Sequence, residues 1–151
     1  MSKKTSAKKG HRRYGYTYQL KVAWGDMDAL GHVNNVSFNR YFETARAEFF
    51  MNLAKTSTYQ RPKERGSVIS RLEFDYRGQV FYPSELEITV GIVEVASRTF
   101  TLACSMWNEK GACVGTGISK HIYIDFTTGR PTRMPDEFIQ GLERYLETDT
   151  E

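Results

Sequence analysis

From Val68 to Ile124 the chain is almost wholly given over to a period of two. Four segments carry it: Val68 to Tyr76, Leu86 to Val95, Thr99 to Trp107 and Ala112 to Ile124. Leu86, Ile88, Val90 and Ile92 alternate with polar or small residues, as do Phe100, Leu102, Cys104 and Met106. Val68, Leu72, Phe74 and Tyr76 share one side of the first segment. Val114, Thr116, Ile118, Ile122 and Ile124 share one face of the last. Side chains on a strand alternate between faces, so such runs are strands with one covered face. Ala96-Ser97-Arg98 is a tight connection, and Asn108-Glu109-Lys110-Gly111 has the length and glycine of a hairpin turn. Four successive strands without helices between them form an antiparallel sheet. They exclude a doubly wound nucleotide-binding fold, which needs repeated strand–helix alternation.

Upstream the period changes once. Tyr16, Tyr18, Leu20 and Val22 alternate as a first strand. Phe38, Phe42, Ala45, Phe49 and Leu53 then recur at helical spacing. Asn34 or Asn35 suits the cap of this helix, which is expected to end near Leu53, with a polar loop from Lys55 to Gly66. A short last helix starts near Pro135, with Asp136 and Glu137 at its positive end and Phe138, Leu142, Tyr145 and Leu146 on its apolar side. The class is α+β: one long helix against an antiparallel sheet.

The 151 residues suffice for one domain with its own core. Lys3, Lys4, Lys8, Lys9, Arg12 and Arg13 precede every acidic residue and supply much of the net charge of +3. Residues 1–14 read as a disordered basic tail and 15–151 as the domain. A nucleic-acid partner has no further support, because basic and aromatic residues do not alternate as in an RNA-binding sheet. No apolar run spans a bilayer, and the basic start lacks the apolar core of a signal peptide. Cys104 and Cys113, with no secretory signal, read as free thiols of a cytoplasmic protein. His11, His32 and His121 lie in unrelated segments, so neither a metal nor a cofactor is expected.

The chemistry concentrates in Asp26-Met27-Asp28-Ala29-Leu30-Gly31-His32-Val33-Asn34-Asn35, the connection leading into the long helix. A helix N-terminus offers unpaired N–H groups and a positive dipole, suited to an oxygen on which charge grows. A carboxylate beside it can attack a carbonyl carbon or activate a water.

That run, preceded by Trp24-Gly25 and continued by Phe38, Tyr41, Glu43, Ala45 and Arg46, resembles the hot-dog-fold acyl-CoA thioesterases. The nearest branch is the 4-hydroxybenzoyl-CoA thioesterase and YbgC-like one, whose pattern is roughly D-x-D-x-x-G-H-V-N-N-x-x-Y-x-x-Y-x-E-x-A-R. The resemblance implies an antiparallel sheet wrapped around one long central helix. It implies hydrolysis of acyl-CoA to free acid and coenzyme A, and a homodimer or homotetramer with active sites at the subunit interface. It places the catalytic carboxylate at Asp28 and the amide that polarises the carbonyl near Asn35. Gly31, His32 and Asn34 then border the substrate, and Arg98 is a candidate for the phosphates of coenzyme A. Phe38 departs from the pattern's tyrosine. The His-Val-Asn-Asn form differs from the 4-hydroxybenzoyl-CoA enzyme itself, which argues against that particular aromatic substrate.

Each residue also has a plainer reading. Asp28 can bond its own backbone in an Asx turn, and Asp26 can fix the loop. His32 suits a packed loop histidine as well as a base. Glu43 pairs naturally with Arg40 or Arg46 along the helix and is the reserve nucleophile. Arg98 can be a solvated hairpin cation. Tyr41, Phe42, Phe49 and Phe50 fit core packing or an acyl tunnel. An acyl carrier protein thioesterase and a non-catalytic acyl-CoA-binding protein are the alternative functions.

Overall fold

The computed structural model describes residues 12–147 and the two-residue strand β1, Lys3–Lys4. Its long helix, α1 (Asn35–Thr56), runs three residues past the expected end. Phe38, Phe42, Ala45, Phe49 and Leu53 are all buried on its inner face. Each large side chain removed from water in this way is worth about 1.5–3 kcal/mol. That burial, rather than propensity, holds the helix in place. Around it lie β2 (Tyr16–Lys21), β3 (Arg65–Tyr76), β4 (Glu85–Val95), β5 (Thr99–Trp107) and β6 (Cys113–Asp125). All pairings are antiparallel, in the order β4-β5-β6-β3, with β1 and β2 on the other side of β4. The two-residue β7 (Arg130–Pro131) pairs with β6, and α2 (Asp136–Glu143) follows. This is the hot-dog arrangement, a sheet curled around one helix.

Two facings differ from the sequence reading. The apolar stripe of β6, Ile118, Ile122 and Ile124, is only half-buried. Val114, Gly115, Gly117, Ser119, His121 and Tyr123 are the buried set. The helix approaches β6 too closely for bulk. A Cβ at Gly117 would sit 2.5 Å from Phe42 Cε2 and 3.1 Å from Cys104 Sγ. Gly115, Gly117 and Ser119 therefore hold the inner face where the helix crosses, and Ile118 the outer. In β3, the pairing with β6 shifts between Ile69 and Arg71. This bulge turns Val68 to the opposite face from Leu72, Phe74 and Tyr76, because one extra residue reverses the alternation.

The outer face of β4 and β5 is covered by both chain ends. Tyr14 N–H donates to Thr89 Oγ1 (2.9 Å), and the Arg13 guanidinium lies 4.2 Å over the Trp107 ring and pairs with Glu87. Ile92 N–H donates to Tyr145 O and receives Glu147 N–H at its own carbonyl. Arg12–Tyr14 thus dock on the sheet. Residues 1–2 and 5–11 of the basic segment lie outside the described residues.

Candidate active site

Residues 27–33 form a small hairpin. Met27 bridges Val33, Asp28 N–H donates to His32 O (3.0 Å), and Gly31 N–H donates to Asp28 O (3.0 Å). Gly31 has φ +83°, a conformation that disfavours any side chain. Asp28 Oδ1 accepts Leu30 N–H at 2.9 Å. The β5–β6 turn repeats every one of these bonds. Asn108 N–H donates to Ala112 O, Gly111 (φ +78°) to Asn108 O, and Lys110 N–H to Asn108 Oδ1. The Asx turn therefore engages one oxygen of Asp28 and leaves Oδ2 without a hydrogen bond among the described residues. His32 Nδ1 lies 3.9 Å from that oxygen, too far for a hydrogen bond but close enough to pair when protonated.

The hairpin is tied to the helix from both sides. Asn34 caps α1, with Oδ1 accepting Val36 N–H (2.6 Å), and its own N–H donates to Asp26 O (3.1 Å). Asp26 Oδ2 accepts the Tyr41 hydroxyl (2.6 Å) and Ala23 N–H (3.1 Å), and Arg40 Nη1 approaches Oδ1 at 3.8 Å. Burial, then the Asp26 hydrogen bond, raise the Tyr41 pKa well above the usual phenol value, so the hydroxyl stays a donor. These bonds give Asp26 the loop-fixing place. On the far side Val33 N–H donates to Val80 O at 2.7 Å.

Asn35 is the first helical residue, and among the described residues its N–H has no partner. A cavity of about 260 Å³ opens beside it, lined by His32, Asn35, Phe38, Tyr76, Arg77 and Gln79, with Val33 and Gly78 completing the wall. Tyr76, Arg77 and Gln79 escaped the sequence reading. Tyr76 ends β3, its hydroxyl accepts Asn39 Nδ2–H (2.7 Å), and its ring meets Phe38 edge-on. The Tyr76-Arg77-Gly78-Gln79 run at a strand end gave no signal by itself. Its role depends on β3 reaching the helix N-terminus.

The structure thus brings together Asp28, Gly31, His32, Asn34 and Asn35. It does not bring Arg98 to them within one chain. Arg98 sits in the β4–β5 turn beside Tyr123, at the opposite end of β5 and on the order of 25 Å away by strand rise. Glu43 is exposed mid-helix, while Tyr41, Phe42 and Phe49 belong to the core. Neither Cys104 nor Cys113 forms a disulfide. Among the described residues no group of three or more His, Cys, Asp and Glu is arranged to hold a metal, and no helix is long and apolar enough to cross a membrane.

Comparison with known proteins identifies the family and supports the fold. The family model described as the Thioesterase-like superfamily matches residues 22–142. YsmA of Bacillus subtilis, an uncharacterised protein, is 28% identical over 124 residues, covering 82% of each chain. The solved structure of a predicted thioesterase from Bacillus stearothermophilus is 25% identical, with TM-score 0.77 over 89% of this chain and 98% of the other. A Pseudomonas aeruginosa structure, 19% identical, shares the fold at TM-score 0.80 over 93% of this chain and 97% of its own.

Proposed function

This chain belongs to the Thioesterase-like superfamily, and on that premise we propose that it hydrolyses acyl-CoA thioesters to free acid and coenzyme A in the cytoplasm. The observation that carries the proposal is the hairpin. It sets Asp28 seven residues before an unpartnered helix N–H, with one carboxylate oxygen left over. The thioester carbonyl oxygen accepts the Asn35 N–H, where the helix dipole favours its developing charge. Asp28 Oδ2 then attacks the carbonyl carbon, the C–S bond breaks and coenzyme A leaves as the thiolate; water opens the resulting anhydride, its two protons passing to the thiolate and to the released acid, and the Asp28 carboxylate is restored. In the equivalent general-base route Oδ2 takes a proton from the attacking water. A thioester has weaker resonance than an ester, so either route is open to a carboxylate. Gly31 shapes the turn, His32 and Asn34 border the substrate, and Tyr76, Arg77 and Gln79 line its pocket.

We assign the working form as a homodimer joined through β3, or a pair of such dimers. This strand has twelve residues, pairs only with β6 among the described residues, and exposes Ile69, Leu72 and Tyr76. A long apolar edge of this kind is a template for another strand. Two-fold antiparallel pairing of β3 would carry the Arg98 end of one chain toward the helix N-terminus of its partner. That placement would bring the guanidinium near the phosphates of coenzyme A at the interface site.

A thiol-release assay over short, long and aromatic acyl-CoAs, beside an acyl carrier protein thioester, tests the reading. Turnover of a CoA ester is the expected result. Turnover confined to the carrier-bound acyl group assigns the other substrate. Thermal stabilisation by acyl-CoA without thiol release makes the protein a binder instead.

A further inference from the structure

A second, larger cavity of about 560 Å³ lies near the other end of α1, between its last turns, the 57–64 connection and the start of β3. Its lining is mostly apolar: Phe50, Met51, Leu53, Phe126 and Phe138. Met51, Ile69 and Phe126 are exposed, so part of this apolar lining also faces water. One residue is out of place there. Arg46 is 8% exposed, and its Nη1 is buried with no hydrogen-bond partner among the described residues. Its guanidinium lies 5.0 Å from the Phe42 ring centre, which supports one face without satisfying an N–H. A buried guanidinium nitrogen without an acceptor is costly, and a ligand oxygen that supplies one recovers that cost.

The charges around Arg46 favour an anion. No carboxylate lines the cavity, and the other ionisable lining residues are Arg61, His121 and Tyr59. His121 is 2% exposed and stacked on Phe100, with Nε2 bonded to Ser119 Oγ, and it is neutral at physiological pH. Glu43, the carboxylate that acts most on Arg46, is exposed one turn earlier and makes no ion pair with it. The Arg61 Nη1 is held by the carbonyls of Pro62 and Arg65.

We infer that this cavity is a binding site for an apolar carboxylic acid, its carboxylate on Arg46 Nη1 and its hydrocarbon body among Phe50, Leu53, Phe126 and Phe138. The volume falls in the range of small-molecule pockets. The inference rests on the cavity, not on the thioesterase reading. Hydrolysis would only make such acids available as products.

The test uses the full chain and no substrate. Sodium decanoate and decanol are titrated separately against a bound fluorescent fatty-acid probe. Decanoate is expected to displace the probe at concentrations about tenfold or more below those needed for decanol, the margin of one hydrogen bond to a charged group. Arg46→Met, which keeps length and removes the charge, should bring the two ligands within about twofold of each other. If Arg46→Met does not fold, Ala54→Phe serves instead. It fills the cavity from an exposed helix position and should weaken both ligands. Equal displacement by decanoate and decanol in the wild-type protein overturns the inference, as does decanoate binding left intact by Arg46→Met or Ala54→Phe. Thiol release from acyl-CoA by a protein that fails to bind decanoate would remove this inference and leave the thioesterase proposal standing.

Discussion

Removing one oxygen atom, in Tyr41→Phe, probes how the 27–33 hairpin is held to its helix. The Tyr41 hydroxyl donates to Asp26 Oδ2 at 2.6 Å, and Tyr41 is 3% exposed. A hydrogen bond to a charged group contributes about 1.5–3 kcal/mol. Asp26 would keep Ala23 N–H on the same oxygen and Arg40 near the other, so the loss belongs at the low end, about 1.5 kcal/mol. Only one atom is deleted, so little cavity cost is added. Urea unfolding should show a lower midpoint with unchanged slope. Asp26→Asn and the double variant complete a cycle, with a coupling energy of about 1–2 kcal/mol expected. Asp26 O also receives the Asn34 N–H, so loosening Asp26 should let Asp28 and Asn35 drift apart. The kcat for thioester hydrolysis should fall by about tenfold while KM moves little. An additive cycle, or full stability in Tyr41→Phe, would refute the idea that this pair straps the hairpin down.

Gly117→Ala should cost about 1–3 kcal/mol, because its methyl would press on Phe42 and Cys104, and Phe42→Leu should relieve part of that cost. Equal destabilisation in the Phe42 and Phe42→Leu backgrounds would contradict the close approach. Burial, then the Arg46 charge, lower the His121 pKa from 6.5 to about 3. The unfolded chain therefore takes up the proton first, so this contribution is complete above pH 6.5 and is lost as pH falls toward 3. The slope is about 1.4 kcal/mol per pH unit, on the order of 3 kcal/mol by pH 4, and His121→Gln should flatten it. Parallel stability–pH curves for the two proteins would remove that account. Leu72→Glu, on the open β3 edge, should convert the proposed β3 dimer to monomers by light scattering. An unchanged mass would place the interface elsewhere.

Much of this was legible in the sequence, for physical reasons. The Asx turn and the helix cap are local structures, so Asp28 and Asn34 declare them by residue type and spacing. The period of two located β4, β5 and β6 within a residue or so. The facing of β6 was not legible, because Ile118, Ile122 and Ile124 form a better apolar stripe than Gly115, Gly117 and Ser119. Only the tight approach of Phe42 explains why the smaller residues face inward. Tyr76, Arg77 and Gln79 were missed because they reach the site through tertiary pairing with β6. The orphaned guanidinium of Arg46 has no sequence signature at all, since a helical arginine near Glu43 looks like one half of a surface ion pair.

The central claim is that the charge of Asp28 drives thioester hydrolysis, and Asp28→Asn isolates it cleanly. Asn108 already makes the same turn in this chain with an amide in place of a carboxylate. The substitution should therefore preserve the hairpin, the fold and the melting temperature. With acyl-CoA in a thiol-release assay, kcat/KM should drop by about 10²–10⁴-fold. A folded Asp28→Asn protein that turns over substrate as fast as the wild type would contradict the claim.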